Sequence, residues 1–191
     1  MIRMELEEEE KRYLLRLARR AIEHFLDKRE ILEIIPQEVS SKKLVDNGAC
    51  FVTLHIGENL RGCMGSLTAR SPLVFDVIGN ATNAAFRDPR FYPLNKEELK
   101  KVRISISVLT KPVPLSVRGP EGLLKKLEPG KHGVILEKGY YRATFLPLVW
   151  EHYHNKEEFL RYLSMKAGLL PDGWKDPECR FSVYEATEFS E

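Results

Sequence analysis

The stretch Cys50-Phe51-Val52-Thr53-Leu54-His55-Ile56-Gly57-Glu58-Asn59-Leu60-Arg61-Gly62-Cys63-Met64-Gly65-Ser66-Leu67 reads as two strands joined by a turn. Side chains two apart on a strand share a face. Cys50, Val52, Leu54 and Ile56 therefore make one apolar face, with Phe51, Thr53 and His55 on the other. Gly57-Glu58-Asn59 is a short glycine-containing loop of the kind that closes hairpins. With those three residues as the loop, His55 lies across from Arg61 and Thr53 across from Cys63, and His55, Arg61 and Cys63 share a face. A slip of one residue would send them to opposite faces.

The second strand of this motif hairpin, 50–67, concentrates the chemistry. Gly62 and Gly65 weaken a strand interior unless a bulge, another backbone or a ligand comes close. Cys63 is the candidate nucleophile, because a thiolate is reactive and a cation such as Arg61 lowers a thiol pKa. A cysteine enzyme also needs a base, and His55 is the candidate in this register. The same residues also suit a thiol lining a binding pocket, or one packed as a small hydrophobe. Candidate binding residues are Arg61, Gly62 and Gly65, with Arg87, Asp88 and Arg90 from Arg87-Asp88-Pro89-Arg90. That second group is either a helix terminus in which Asp88 orients Arg90, or two guanidinium forks around a small anion. Only Ser71 to Phe86 separates it from the hairpin, and a helix there must pack back on its sheet, so the two groups are expected to lie together.

Around this centre the chain mixes helices and strands. Tyr13, Leu14, Leu17, Ala18, Ala21, Ile22, Phe25 and Leu26 recur at helical spacing, predicting a helical N-terminal arm over 5–27. Arg12, Arg16, Arg19 and Arg20 fall on its outer face, a solvated stripe balanced by Glu8 and Glu23. Ser71-Pro72 has the form of a capping hydroxyl before a first-turn proline. Pro89 ends that helix near Arg87-Asp88. Val102 to Val108 alternates as a half-buried strand, and Pro120 to Leu127 reads as a short helix. Val134 to Leu136 and Tyr141 to Leu146 form a second hairpin. Asn155 with Glu158 resembles a capping box for a helix that ends at Gly168. Cys179 to Phe189 alternates as one last strand. Helices and hairpins without regular alternation argue for α+β, a largely antiparallel sheet with packed helices.

Composition excludes several classes. Net charge is +2 with 30% charged residues, a poor footprint for nucleic acid, and the clustered cations lack interleaved aromatics. Three distant cysteines make no disulfide framework, and Met1 to Glu10 lacks the order of a signal peptide. Membrane spanning needs about 18 apolar residues in a row, which the sequence does not contain. The chain is read as cytoplasmic and without a membrane partner. Gln37 is the only glutamine amid abundant Glu, Lys and Arg, a bias that fits a thermophilic source. His152 and His154 stand two apart, where helical side chains do not face one another, and neither Cys-x-x-Cys nor His-Glu-x-x-His occurs. No metal is expected. Gly62-Cys63-Met64-Gly65 lacks the following Lys-Ser/Thr of a phosphate loop, so no nucleotide is indicated, and the residues leave the cofactor unknown.

Gly48-Ala49-Cys50-Phe51-Val52-Thr53-Leu54 followed by Leu60-Arg61-Gly62-Cys63-Met64-Gly65-Ser66-Leu67 resembles the signature of the AMMECR domain family. Asn80-Ala81 and Ala84-Ala85-Phe86-Arg87-Asp88-Pro89-Arg90-Phe91 resemble its second block. Gly130-Lys131-His132-Gly133-Val134-Ile135-Leu136 and Lys166-Ala167-Gly168-Leu169 are similar to later parts. Met64 stands where isoleucine is usual, and Leu148 where glutamine is common. The resemblance implies one AMMECR-type domain over 1–191 with two lobes, one large and one small. It also implies a link to Memo-type and radical-SAM-type proteins as partners, and it carries no particular reaction. Two functions stand side by side: a small-molecule or modified-residue site at Arg61-Cys63, and a protein-interaction module in which Cys63 is structural. Nucleic-acid binding ranks behind both.

Overall fold

The computed structural model describes residues 5–153 and 155–191, so the prediction for His154 lies outside the described residues. They fall into two compact units, a larger one of residues 5–109 with 187–191 and a smaller one of residues 110–186. The architecture is α+β, with one antiparallel-paired sheet and packed helices in each unit.

In the larger unit, α1 (Glu8–Lys28) is followed by the short α2 (Lys42–Val45) and by the hairpin β1 (Asn47–Ile56) and β2 (Asn59–Gly65). After β3 (Ser71–Pro72) come α3 (Leu73–Phe86), α4 (Lys96–Leu99) and β4 (Val102–Leu109). The sheet order is β2-β1-β4-β9, where β9 is Ala186–Ser190, and β2 is an edge strand. Val52, Leu54, Ile104 and Ile106 are fully buried on the inner face against α3, whose Leu73, Val74, Val77 and Ala81 are equally buried. α1 lies on α3 and contributes Leu14, Leu17, Ala18, Ala21 and Ile22 to the same core.

The α3–β2 contact explains the first glycine of the motif. A Cβ at Gly62 would lie 2.1 Å from the Ala84 carbonyl oxygen, so helix backbone rests directly on strand backbone. At Gly65 the place of a Cβ is taken by the Phe51 ring, 2.2 Å away. The two glycines thus answer to a backbone and a ring.

Three local expectations are corrected. Ser71 does not cap α3: Ser71 and Pro72 pair with Gly48 and Asn47 of β1, and Pro72 takes the cap position with no side-chain bond. The first helical N–H, from Leu73, goes instead to the Asp46 carbonyl at 3.0 Å. Cys179 to Phe189 is two strands, β8 (Arg180–Tyr184) and β9, in different sheets. The break falls at buried Glu185, whose N–H donates to Thr110 Oγ1 and whose carbonyl accepts the Thr110 N–H, both at 2.9 Å. Val183 and Tyr184 are both buried, so alternation by itself could not mark the change of sheet. Arg19 is no solvated stripe residue either: it donates to Glu191 at 2.7 Å and to the Val102 carbonyl at 2.7 Å, tying α1 to the last residue of the sheet region.

The smaller unit begins with β5 (Val113–Pro114) and α5 (Gly119–Lys126), followed by the hairpin β6 (Gly133–Lys138) and β7 (Tyr141–Phe145). α6 (Lys156–Lys166) then leads to β8, and the sheet order is β5-β8-β6-β7. Asn155 caps α6 by accepting from Glu157 N–H rather than closing a box with Glu158, and Gly168 ends it at φ +86°. Trp150 stacks on Phe159 at 3.7 Å between ring centroids in this unit's own core.

The Gly62 contact yields a quantitative expectation. Gly62→Ala forces a methyl group onto the Ala84 carbonyl and should cost about 1–3 kcal/mol or more, as overpacking does. Urea unfolding checks it; a variant as stable as the parent would show that α3 and β2 can separate freely.

Candidate functional site

The hairpin turn is tighter than three residues. Ile56 pairs with Asn59 and His55 with Leu60, leaving Gly57-Glu58 as the turn, with Gly57 at φ +59°. Leu54 then pairs with Gly62, so Arg61 is the extra residue of a β-bulge. The bulge restores Thr53 opposite Cys63 while placing Leu60, not Arg61, opposite His55. The expected three-residue loop and the His55–Arg61 pairing are therefore corrected.

Thr53 and Cys63 sit on the outer face, where the Thr53 hydroxyl donates to Cys63 Sγ at 3.3 Å. Ser105 of β4 lies on the other side of Thr53, so a thiol and two hydroxyl residues form a row across three strands. Cys63 is half-buried, whereas Cys50 is fully buried and its thiol is pushed well up, chiefly by burial. Cys179 is half-buried and donates to the Gly173 carbonyl, at 3.2 Å.

As an edge-strand amide, the Cys63 N–H points away from β1. It is received by Asp88 Oδ2 at 2.9 Å. The same oxygen accepts Arg90 Nη2 at 2.7 Å, and Oδ1 accepts Arg90 Nε at 2.9 Å and the Arg90 N–H at 3.1 Å. Asp88 is 4% exposed, a carboxylate held inside the protein by four donors. The Arg90 hydrogen bonds, helped by the Cys63 amide, draw its pKa down to about 2 despite burial. This is the predicted meeting of the Arg87–Phe91 loop with the Cys63 strand, and the Asp88–Arg90 orientation is the one expected of a helix terminus. Arg87 does not join them: it is exposed, its backbone N–H donates to the Asn83 carbonyl at 2.8 Å, and its side chain has no hydrogen bond or ion pair among the described residues.

Arg61 faces a different partner. Its Nε and Nη2 reach the Glu98 carboxylate at 2.9 and 3.0 Å, and Nη2 also reaches the Tyr92 carbonyl at 2.8 Å. The guanidinium carbon lies 5.7 Å from the Phe91 ring centroid, and Nη1 is out of solvent without a hydrogen-bond partner. Glu98 is itself fixed by reciprocal bonds with Asn95, a capping box for α4. Arg61 thus pins the 91–98 segment to β2. The Asn95-x-x-Glu98 pattern was the available signal for this anchor, but nothing local links it to Arg61. His55 has its pKa lowered by burial and then by Arg103, and its Nδ1 is buried and unpartnered.

Sequence reasoning also missed a polar cluster beneath the motif. Asp76, in the first turn of α3, accepts from the Cys50 N–H at 2.8 Å and the Ser66 hydroxyl at 2.7 Å. Buried Asn80 donates to the Cys50 carbonyl, at 3.2 Å, and to Asp76, at 3.0 Å. This cluster closes the open end of the hairpin. His132 is buried and accepts the Glu128 N–H on Nδ1 at 3.2 Å. Among the described residues no group of three or more His, Cys, Asp or Glu could hold a metal, and no helix is long and apolar enough to cross a membrane.

Asp88 carries a pH signature. Its folded pKa lies below the unfolded value, so its stabilisation is complete above the unfolded pKa and is lost as pH falls through about 2. With Arg90 half in solvent, the contribution is about 1–2 kcal/mol at neutral pH. Asp88→Asn should be less stable by that amount at neutral pH, and the gap should close between about pH 4 and pH 2. Urea midpoints across that range test it; a gap that stays constant would mean the carboxylate charge is irrelevant.

Comparison with known proteins places this geometry. The AMMECR1 family model matches residues 15–189. Protein MK0488 of Methanopyrus kandleri is 38% identical over 187 residues, covering 96% of this chain and 89% of that protein. Protein TK0174 of Thermococcus kodakarensis is 40% identical over 185 residues, covering 94% and 89%. The crystal structure of uncharacterized protein PH0010 from Pyrococcus horikoshii superposes with a TM-score of 0.91 at 36% identity, covering 97% of this chain and 93% of that one. With the family model matching residues 15–189 and relatives matched over nearly its whole length, the chain belongs to the AMMECR1 family.

Proposed function

We propose that the larger unit binds a small molecule or a modified residue on the outer side of β2, with Cys63 touching the ligand and Arg90 beside it. The observation that carries this reading is the shared Asp88 carboxylate. One buried group fixes both the Cys63 backbone and the Arg90 head, while the thiol is half-buried and the Arg90 side chain remains 54% exposed. Asp88 is the positioning residue and Thr53 donates to the sulfur. Arg61, with its Nε and Nη2 donors on Glu98 and Tyr92, frames the site rather than contacting the ligand. Gly62 and Gly65 likewise shape it through α3 and Phe51. His55 stands two residues from Thr53 on β1 with its Nδ1 buried and without a hydrogen-bond partner, and this reading gives it no role as base. The family resemblance adds a cytoplasmic setting beside Memo-type or radical-SAM-type proteins to the proposal.

A second reading, a protein-interaction module, is favoured by one observation. Tyr92, whose carbonyl accepts from Arg61, is 90% exposed, and Leu60, next to Arg61 in β2, is 38% exposed. Apolar and aromatic side chains offered to solvent beside the motif suit an interface.

Native mass spectrometry after incubation with a cell metabolite extract separates the two. A retained small-molecule mass should be lost about 10- to 100-fold in Cys63→Ser or Arg90→Gln, the worth of one charge-assisted contact. If neither variant changes what is retained, and Leu60→Asp or Tyr92→Asp abolishes capture of a protein partner, the interaction reading replaces the ligand site.

A further inference from the structure

Arg90 is exposed yet held in one orientation. Asp88 takes its Nε and one Nη2 donor side-on and also its backbone N–H, and the Phe91 ring centroid lies 5.4 Å from the guanidinium carbon. A guanidinium has five N–H donors in a rigid fork. The side-on grip leaves the opposite edge, Nη1 with the second Nη2 donor, without a partner among the described residues. That edge has the spacing that receives two oxygens of one carboxylate or phosphate.

Its neighbours limit where such a ligand can go. Asp88 Oδ2 lies within hydrogen-bond distance of both Arg90 Nη2 and Cys63 N, which puts the fork next to the Cys63 strand position. The Asp88 hydrogen bond is the chief cause that keeps Arg90 firmly protonated. The other arginine offers no comparable edge, since its Nε and Nη2 are engaged and Nη1 is closed to solvent.

Resting on the ligand site proposed above, we infer that its ligand carries an oxyanion, a carboxylate or a phosphate, seated on the outer edge of Arg90, with the remainder lying over Cys63 and Thr53. Asp88 offsets the Arg90 charge on one side only, so the anion completes a carboxylate–guanidinium–oxyanion line. Arg87, three residues earlier and with no side-chain partner among the described residues, is not part of this line.

The test follows alkylation of Cys63 by uncharged N-ethylmaleimide in folded Cys179→Ala protein, at constant ionic strength set with chloride. Inorganic phosphate and malonate are the probes. At tens of millimolar, one or both should slow alkylation about threefold or more, as occupancy of a bidentate fork predicts. Protection by phosphate alone identifies a phosphate-bearing ligand, and protection by malonate alone a carboxylate. Arg90→Gln should lose the protection while remaining folded under the assay conditions by circular dichroism, although its urea midpoint falls because buried Asp88 loses its partner, and Arg87→Gln should keep it. Alkylation that ignores both anions, protection that survives Arg90→Gln, or protection lost in Arg87→Gln would overturn the oxyanion inference alone. A Cys63 that reacts only after unfolding would overturn the ligand site itself.

Discussion

Backbone-on-backbone contact between α3 and β2 sets the geometry of everything downstream. Because Gly62 has no side chain, the Ala84 carbonyl comes to within 2.1 Å of where a Cβ would stand. Helix and strand are then about as close as two elements can be, and Ala81, Ala84 and Ala85 keep the helix face thin enough to allow it. The residues that leave the helix after Phe86 have little room to diverge, so Asp88 arrives at the edge of β2. There the outward Cys63 amide, which every edge strand must satisfy somehow, finds a carboxylate. The same contact that blunts the edge against pairing with another chain also arranges the motif.

Two arginine–carboxylate pairs flank this edge, and their surroundings divide the labour between them. Arg61 is 12% exposed and Glu98 31%, so their bidentate pair is largely withdrawn from water and holds a loop in place. Breaking such a pair from one side leaves a poorly solvated charge, which makes it a framework interaction. Arg90 is 54% exposed while Asp88 is 2% exposed at its side chain, so there the carboxylate is the buried member and the cation looks outward. A buried anion with an outward cation presents positive charge to whatever approaches. Phe91 lies against both guanidinium groups, at 5.7 and 5.4 Å, and keeps the two arginine heads in register.

Much of this was legible before any coordinates. The apolar stripes of Leu73 to Ala85 and of Val52, Leu54, Ile104 and Ile106 specify a helix on an antiparallel sheet, because alternation and helical spacing report directly on burial. The approach of the Arg87–Phe91 loop to Cys63 followed from one helix length. Less legible were features that depend on a single residue's displacement. The Arg61 bulge shifts half of the hairpin register, and no local pattern distinguishes a two-residue turn plus bulge from a three-residue loop. The split between β8 and β9 was hidden because Phe181, Val183 and Phe189 keep the same alternation through it.

By itself, then, the sequence determined most element types and the family, and it drew attention to Cys63, His55, Arg61, Gly62, Gly65, Arg87, Asp88 and Arg90, since periodicity, steric permissiveness and residue chemistry are all local. Tertiary structure alone decided which arginine faces the solvent. Asp88 and Glu98 are both acids after α3, and nothing in their spacing says which will hold the arginine beside Cys63 and which will bury Arg61. That choice rests on the bulge and the Gly62–Ala84 contact, two long-range packing constraints that turn an apparent Arg61–Cys63 pair into a Cys63–Asp88–Arg90 junction.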